Sequence, residues 1–198
     1  MSTPAPAFRR SNEHFTSGGV RCAAWVYRPT TSTDEQPAPV IVMAHGLGSV
    51  RLLRLPAYAE RFAAAGYVVV VFDYRFFGDS DGQPRQVVDI PSQLGDWRAA
   101  LAWARTLDGV DPRRVIAWGT SFAGGHVITL AGTGEDLTAI ISQVPHVSGP
   151  AAVRASGRHV LRLIPAALQD TLRALRHKPP RYIESVGAPG TVAVMAPP

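Results

Sequence analysis

Cysteine occurs once in 198 residues, at Cys22. No internal disulfide can form, which suits a reducing cytoplasm. Lysine is as scarce: all but one of the 20 basic residues are arginine. The net charge is +5, but the arginines are scattered and not interleaved with aromatic residues, so no nucleic-acid surface is expected. No apolar run approaches the ~20 residues of a membrane span, which argues against stable membrane insertion. Residues 1–12 are polar and Pro/Ala-rich and lack the apolar core of a secretory signal. They read as a flexible N-terminus, and the chain as cytoplasmic. No cluster of His, Cys and Asp has metal-ligand spacing, so neither a metal nor another cofactor is implied. A G-x-G-x-x-G fingerprint is absent as well, which removes a dinucleotide-binding reading.

What the chain does have is the stretch Val115-Ile116-Ala117-Trp118-Gly119-Thr120-Ser121-Phe122-Ala123-Gly124-Gly125-His126. A short apolar run predicts a buried strand, and the small residues after the serine open a helix. This is a strand-serine-helix elbow, G-x-S-x-G with Ala123 in place of the last glycine. Small residues are required two before and two after Ser121, where larger side chains would clash, and Gly119 and Ala123 meet that demand. At a helix N-terminus, Ser121 meets backbone N–H groups and a dipole that favour developing negative charge. The Phe122 N–H is a natural oxyanion donor there.

Residues 13–28 predict a hairpin about the turn Ser17-Gly18-Gly19, with Cys22 as a small core residue. Residues 39–44 (Pro-Val-Ile-Val-Met-Ala) and 67–73 (Tyr-Val-Val-Val-Val-Phe-Asp) are continuous apolar runs typical of parallel strands buried on both faces. The first ends in His45-Gly46-Leu47-Gly48, the second in Asp73-Tyr74-Arg75-Phe76-Phe77-Gly78-Asp79-Ser80-Asp81-Gly82. Helices are predicted over 55–65 and 89–107, then from the elbow onward. Alternating strands and helices predict an α/β fold with a mostly parallel sheet and helices on both faces. His45-Gly46, Asp73 to Gly82 and Ser121 all fall at strand carboxyl ends, where open α/β sheets bind ligands. His45 is expected to orient its loop by hydrogen bonding, and Asp73 and Arg75 to hold theirs together.

With HGLG at 45–48, DYRFFGDSDG at 73–82 and GTSFAGGH at 119–126, the sequence resembles the α/β-hydrolase superfamily over roughly residues 13–146. Within it, the chain is most similar to the dienelactone-hydrolase-like and X-prolyl-dipeptidyl-peptidase-like serine hydrolases. The resemblance implies a nucleophile at Ser121, an oxyanion hole from the Leu47 and Phe122 amides, and an acyl-enzyme formed from an ester, thioester or amide. The substrate would be a small-molecule or peptide acyl compound. From their place at or beside strand carboxyl ends, His45, Gly46, Asp73, Tyr74, Arg75, Gly119 and His146 are read as site-loop residues, His146 from the end of the next strand.

The resemblance further implies two later strands bearing the triad acid and base, and these are not legible. Residues 151–177 read as two amphipathic helices separated by Pro165, with Arg154, Arg158 and Arg162 on a solvated face. Residues 178–198 read as a Pro/Gly-rich tail. The expectation is therefore a core at 13–149, a helical cap or lid with its tail at 150–198, and the C-terminal strands missing, as in a truncated family member. Internal substitutes are poor. His126 should face the helix interior or a neighbouring loop. His146 ends the neighbouring strand. His159 and His177 belong to the cap, and Asp170 lies only seven residues before His177 on one helix. The alternative reading is a non-catalytic α/β-hydrolase-like binding module or an inactive fragment lacking the triad Asp and His.

Overall fold

The computed structural model describes residues 7–196. The chain divides into two compact units after Pro145, slightly earlier than the predicted boundary at 149. The first unit contains β1 (Phe8–Ser17), β2 (Val20–Pro29), β3 (Ala38–Ala44), α1 (Leu55–Ala64), β4 (Val68–Phe72), α2 (Ile90–Ala104), β5 (Val110–Thr120), α3 (Phe122–Gly132) and β6 (Ala139–Gln143). These strands form one sheet in the order β1-β2-β4-β3-β5-β6. The hairpin β1–β2 is antiparallel, β2 joins β4 antiparallel, and the remaining pairs are parallel.

One expectation needs correction. The hairpin begins at Phe8, so residues 8–12 are not a flexible terminus; residues 1–6 of that segment lie outside the described residues. The early strand forms because Phe8 to Asn12 pair in register with Pro29 to Trp25. The Phe8 ring also packs 5.8 Å from Tyr27. At the other end, Gly18 and Gly19 have φ of 54° and 76°, the double positive φ of a two-residue hairpin turn.

Both faces of the central strands β3 and β4 are buried. Val40, Val42, Val68, Val70 and Phe72 point to α2 and α3, meeting Trp97, Leu101, Val127 and Leu130. Ile41, Met43, Val69, Val71 and Trp118 point the other way, onto Leu55, Ala59 and Ala63 of α1. Strands with apolar residues at every position are thus used on both sides, as parallel strands require. Cys22 lies in the first of these clusters, and burial pushes its thiol up to about 12. Asp89 starts α2 by accepting the Ser92 N–H at 2.9 Å, a side-chain cap on an otherwise unbonded donor.

The second unit holds α4 (Gly149–Ala155), α5 (His159–Leu175) and two three-residue strands, β7 (Glu184–Val186) and β8 (Ala193–Met195). Pro165 does not separate two helices: it lies inside α5. The break instead falls at Ser156-Gly157-Arg158, where Gly157 has φ 53°, a conformation glycine adopts without steric penalty. A proline inside a helix removes one hydrogen bond and kinks it, yet the helix continues through this one. The predicted tail also differs: β7 and β8 pair in parallel as a sheet of their own and do not extend the main sheet. Among the described residues no helix is long and apolar enough to cross a membrane.

Candidate active site

The parallel pairing of β3 with β5 sets Ala44 beside Gly119, so the loops leaving both strands start side by side. Ser121 follows β5 as the cap of α3, with φ 55° and ψ −114°. For a residue with a side chain this is a strained backbone, held only when its surroundings over-determine it. Two features do so. The Ser121 N–H donates to the Gln143 carbonyl of β6 at 2.9 Å. The elbow itself is closed so tightly that a Cβ on Gly119 would fall 2.2 Å from the Ala123 carbonyl oxygen.

Gly46 reaches the same point from β3. A Cβ placed on it would stand 3.1 Å from Ser121 Cβ and 3.5 Å from Ser121 Oγ. The loop at 45–48 therefore lies against the serine, with Leu47 as the next residue. Phe122 opens α3, and its ring meets His126 edge-on at 4.9 Å.

The neighbouring polar residues form two buried clusters. In the first, Asp73 is 1% exposed. It accepts the Arg51 amide N–H at 2.7 Å and the Asp79 N–H at 3.2 Å, and pairs with the Arg51 guanidinium. His45 is buried beside it, its Nδ1–H donating to the Gly46 carbonyl at 3.0 Å and its Nε2 lying 3.7 Å from Asp73 Oδ1. Burial pushes the His45 pKa down, against the opposing pull of the Gly46 carbonyl and Asp73. In the second cluster, Arg75 donates Nε–H to Asp96 Oδ1 at 2.7 Å and its amide N–H to Asp96 Oδ2 at 3.0 Å. A further guanidinium N–H reaches Ser17 Oγ at 2.8 Å, so the loop at 73–82 is tied to α2 and the hairpin together.

Tyr74 is buried, and burial pushes its phenol pKa well up. Its oxygen accepts the Trp97 indole N–H at 2.8 Å, and its ring packs edge-on against His45 at 4.8 Å. His126 points inward, its Nε2–H donating to Gln93 Oε1 at 2.8 Å. His146 is half-buried and is the first residue of the second unit. Among the described residues no group of three His, Cys, Asp or Glu side chains is placed to hold a metal.

The sequence reading passed over Arg51, Asp96 and Gln93. Asp96 and Gln93 had a signal: each is polar and flanks the apolar stripe Leu94, Trp97 and Leu101 of α2. Arg51 had none, because its partner Asp73 is 22 residues away.

Burial pushes the His126 pKa down from the ordinary 6.5 to about 4. A histidine neutral in the folded chain but protonated when unfolded withdraws stability as pH falls from about 6.5 to 4, by about 3 kcal/mol in total. We expect His126→Gln, which keeps an N–H for Gln93, to flatten the pH dependence of urea stability by one proton over that window. An unchanged slope would contradict the assignment.

A family model described as X-Pro dipeptidyl-peptidase (S15 family) matches residues 18–188. The chain is 50% identical over 182 residues to the quorum-quenching protein AidA of Acinetobacter baumannii (strain MDR-ZJ06), covering 91% of this chain and 59% of that protein. It is 38% identical over 133 residues to the thiohydrolase aneE of Aspergillus aculeatus, covering 67% of this chain and 40% of that protein. The chain thus spans 59% and 40% of the lengths of these two relatives. Among solved structures, the hypothetical protein PA2218 from Pseudomonas aeruginosa superposes with a TM-score of 0.77 at 21% identity, over 89% of this chain and 57% of that one. The α/β hydrolase GrgF from Penicillium sp. sh18 gives 0.72 at 23% identity, over 90% and 59%. At such identities the likeness is one of fold.

Proposed function

This chain belongs to the X-Pro dipeptidyl-peptidase S15 family of the α/β-hydrolase superfamily, and from that premise we propose that it acts as a serine hydrolase through an acyl-enzyme on Ser121. Ser121 Oγ attacks the substrate carbonyl carbon and its proton passes to a general base. The tetrahedral oxyanion is held by the Leu47 and Phe122 amides, and the base returns its proton to the leaving group as the ester, thioester or amide bond breaks. Water then hydrolyses the acyl-serine, releasing a carboxylic acid and restoring the hydroxyl. The observation that carries this reading is the conformation of Ser121, φ 55° and ψ −114°, directly against Gly46. Strain of this kind is kept where a reactive group must be exposed. The relative named a thiohydrolase favours a thioester among the three bond types.

His45 and His126 are poorly placed as the base: His45 Nε2 faces Asp73 Oδ1 at 3.7 Å and His126 Nε2 is bonded to Gln93. That placement favours a second reading, a binding module that keeps the elbow without the chemistry. Labelling with a fluorophosphonate probe separates the two. We expect the folded full chain to label and Ser121→Ala to label not at all. Absence of labelling in folded wild type would mean that this chain does not perform the chemistry by itself.

A further inference from the structure

We propose that Arg51 is a positioning residue for the oxyanion hole, an inference that rests on the acyl-transfer reading of Ser121. The segment from His45 to Arg51 is an arch carrying Leu47 near its start. Its first foot is set by packing. The buried His45 ring lies against Tyr74 and Phe77, with centroids 4.8 and 5.6 Å away, and donates to the Gly46 carbonyl. Its second foot is Arg51, whose side chain is 5% exposed. The Arg51 amide donates to one oxygen of Asp73 and its guanidinium pairs with the other. A further guanidinium N–H reaches Asp79 Oδ2 at 2.7 Å, and the guanidinium carbon stacks 4.4 Å from the centre of the Trp25 ring.

Asp73 is itself anchored. Its main-chain N–H donates to the Ala23 carbonyl at 3.0 Å, and its own carbonyl accepts Ser80 Oγ at 2.7 Å. The carboxylate thus belongs to the sheet, and Arg51 transfers that fixed position to the arch. An oxyanion donor works only when its N–H stands ready at about 2.7–3.1 Å from the developing charge. A loosened second foot would let Leu47 drift, and a misplacement of about 1 Å can cost about 100-fold in rate. The guanidinium's fork and flat face serve Asp73, Asp79 and Trp25 together. A lysine ammonium is a point charge without that plane.

The test measures fluorophosphonate inactivation of the full chain at several probe concentrations, which separates probe affinity from the maximal rate of covalent labelling. For Arg51→Lys we expect the maximal rate to fall about 10- to 100-fold with affinity unchanged, at a temperature where circular dichroism shows the variant folded. A purely structural Arg51 would leave the rate per folded molecule at the wild-type value, and that result would overturn the proposal. If Arg51→Lys does not fold, Asp73→Asn serves: it keeps the shape and one acceptor while removing the charge that fixes Arg51. Its rate should fall in the same direction, and an unchanged rate would again overturn the proposal. The two readings fail differently. If wild type and Ser121→Ala both fail to label, the serine assignment falls and this inference falls with it. If wild type labels and the Arg51 variant matches it, only the positioning role is lost.

Discussion

Gly119→Ala is expected to lower the stability of the chain by about 3 kcal/mol or more and to abolish labelling of Ser121. The reason is space. The added Cβ would stand 2.2 Å from the Ala123 carbonyl oxygen, 2.4 Å from its carbon and 2.8 Å from the Gly124 nitrogen. All three are backbone atoms, so no rotamer change relieves the overlap. Either the elbow opens or α3 shifts on the sheet, and overpacking of a close-packed interior costs about 1–3 kcal/mol even where side chains can yield. Two glycines of α3, Gly124 and Gly132, grade the effect. At Gly124 the nearest atoms would be 3.1–3.3 Å away, so a smaller loss is expected. At Gly132 nothing lies within 4 Å, and alanine there should be neutral or stabilising by up to about 1 kcal/mol. Urea denaturation of the three variants checks the order. Equal midpoints for Gly119→Ala and wild type would mean that the elbow is not closed as described.

Asp96→Ala should be comparably damaging, by about 3–5 kcal/mol, because it strands a guanidinium that the fold has taken out of water. Asp96 is fully buried. Burial pushes its carboxyl pKa up, while Ser17 and Arg75 pull it down. Without it Arg75 keeps Ser17 Oγ at 2.8 Å and a long contact to the Ser92 carbonyl at 3.4 Å, neither of which carries charge. The hairpin turn would also loosen, since Gly18 packs so closely on Arg75 that a Cβ there would fall 2.4 Å from its guanidinium. Asp96→Asn keeps the shape and one acceptor and should lose less. Chemical denaturation of both variants decides the matter. A loss below about 1 kcal/mol for the alanine variant would show that Arg75 is not held by charge, as exposed pairs are not.

The main elements were legible because their signals are local. Short continuous runs rich in β-branched residues, such as Val68 to Phe72, read as strands buried on two faces, and the small residues around Ser121, taken with the loops at 45–48 and 73–82, read as an elbow. The early start of β1 was not legible, because it follows from pairing with residues 25–29 rather than from composition. Pro165 misled for a related reason: the rule it obeys is local, while Gly157, which does interrupt the helices, carries an equally local signal that was outweighed. At the site, the sequence marked Asp73 and Arg75 but gave them no partners. Arg51 and Asp96 lie 22 and 21 residues away, and only the folded sheet makes them neighbours.

The three backbone supports of Ser121 come from distant parts of the chain. Gly46 follows β3, Gly119 ends β5 and the Gln143 carbonyl belongs to β6. No short segment contains enough of them to hold the serine in its strained form, and parallel pairing brings such segments together only after long loops have closed. The reactive conformation is thus a collective property of the aligned central strands. Release of any one of the three supports would let the backbone relax. Reactivity at Ser121 would therefore report on the alignment of the whole sheet, and would vanish in partly folded molecules whose helices are still intact.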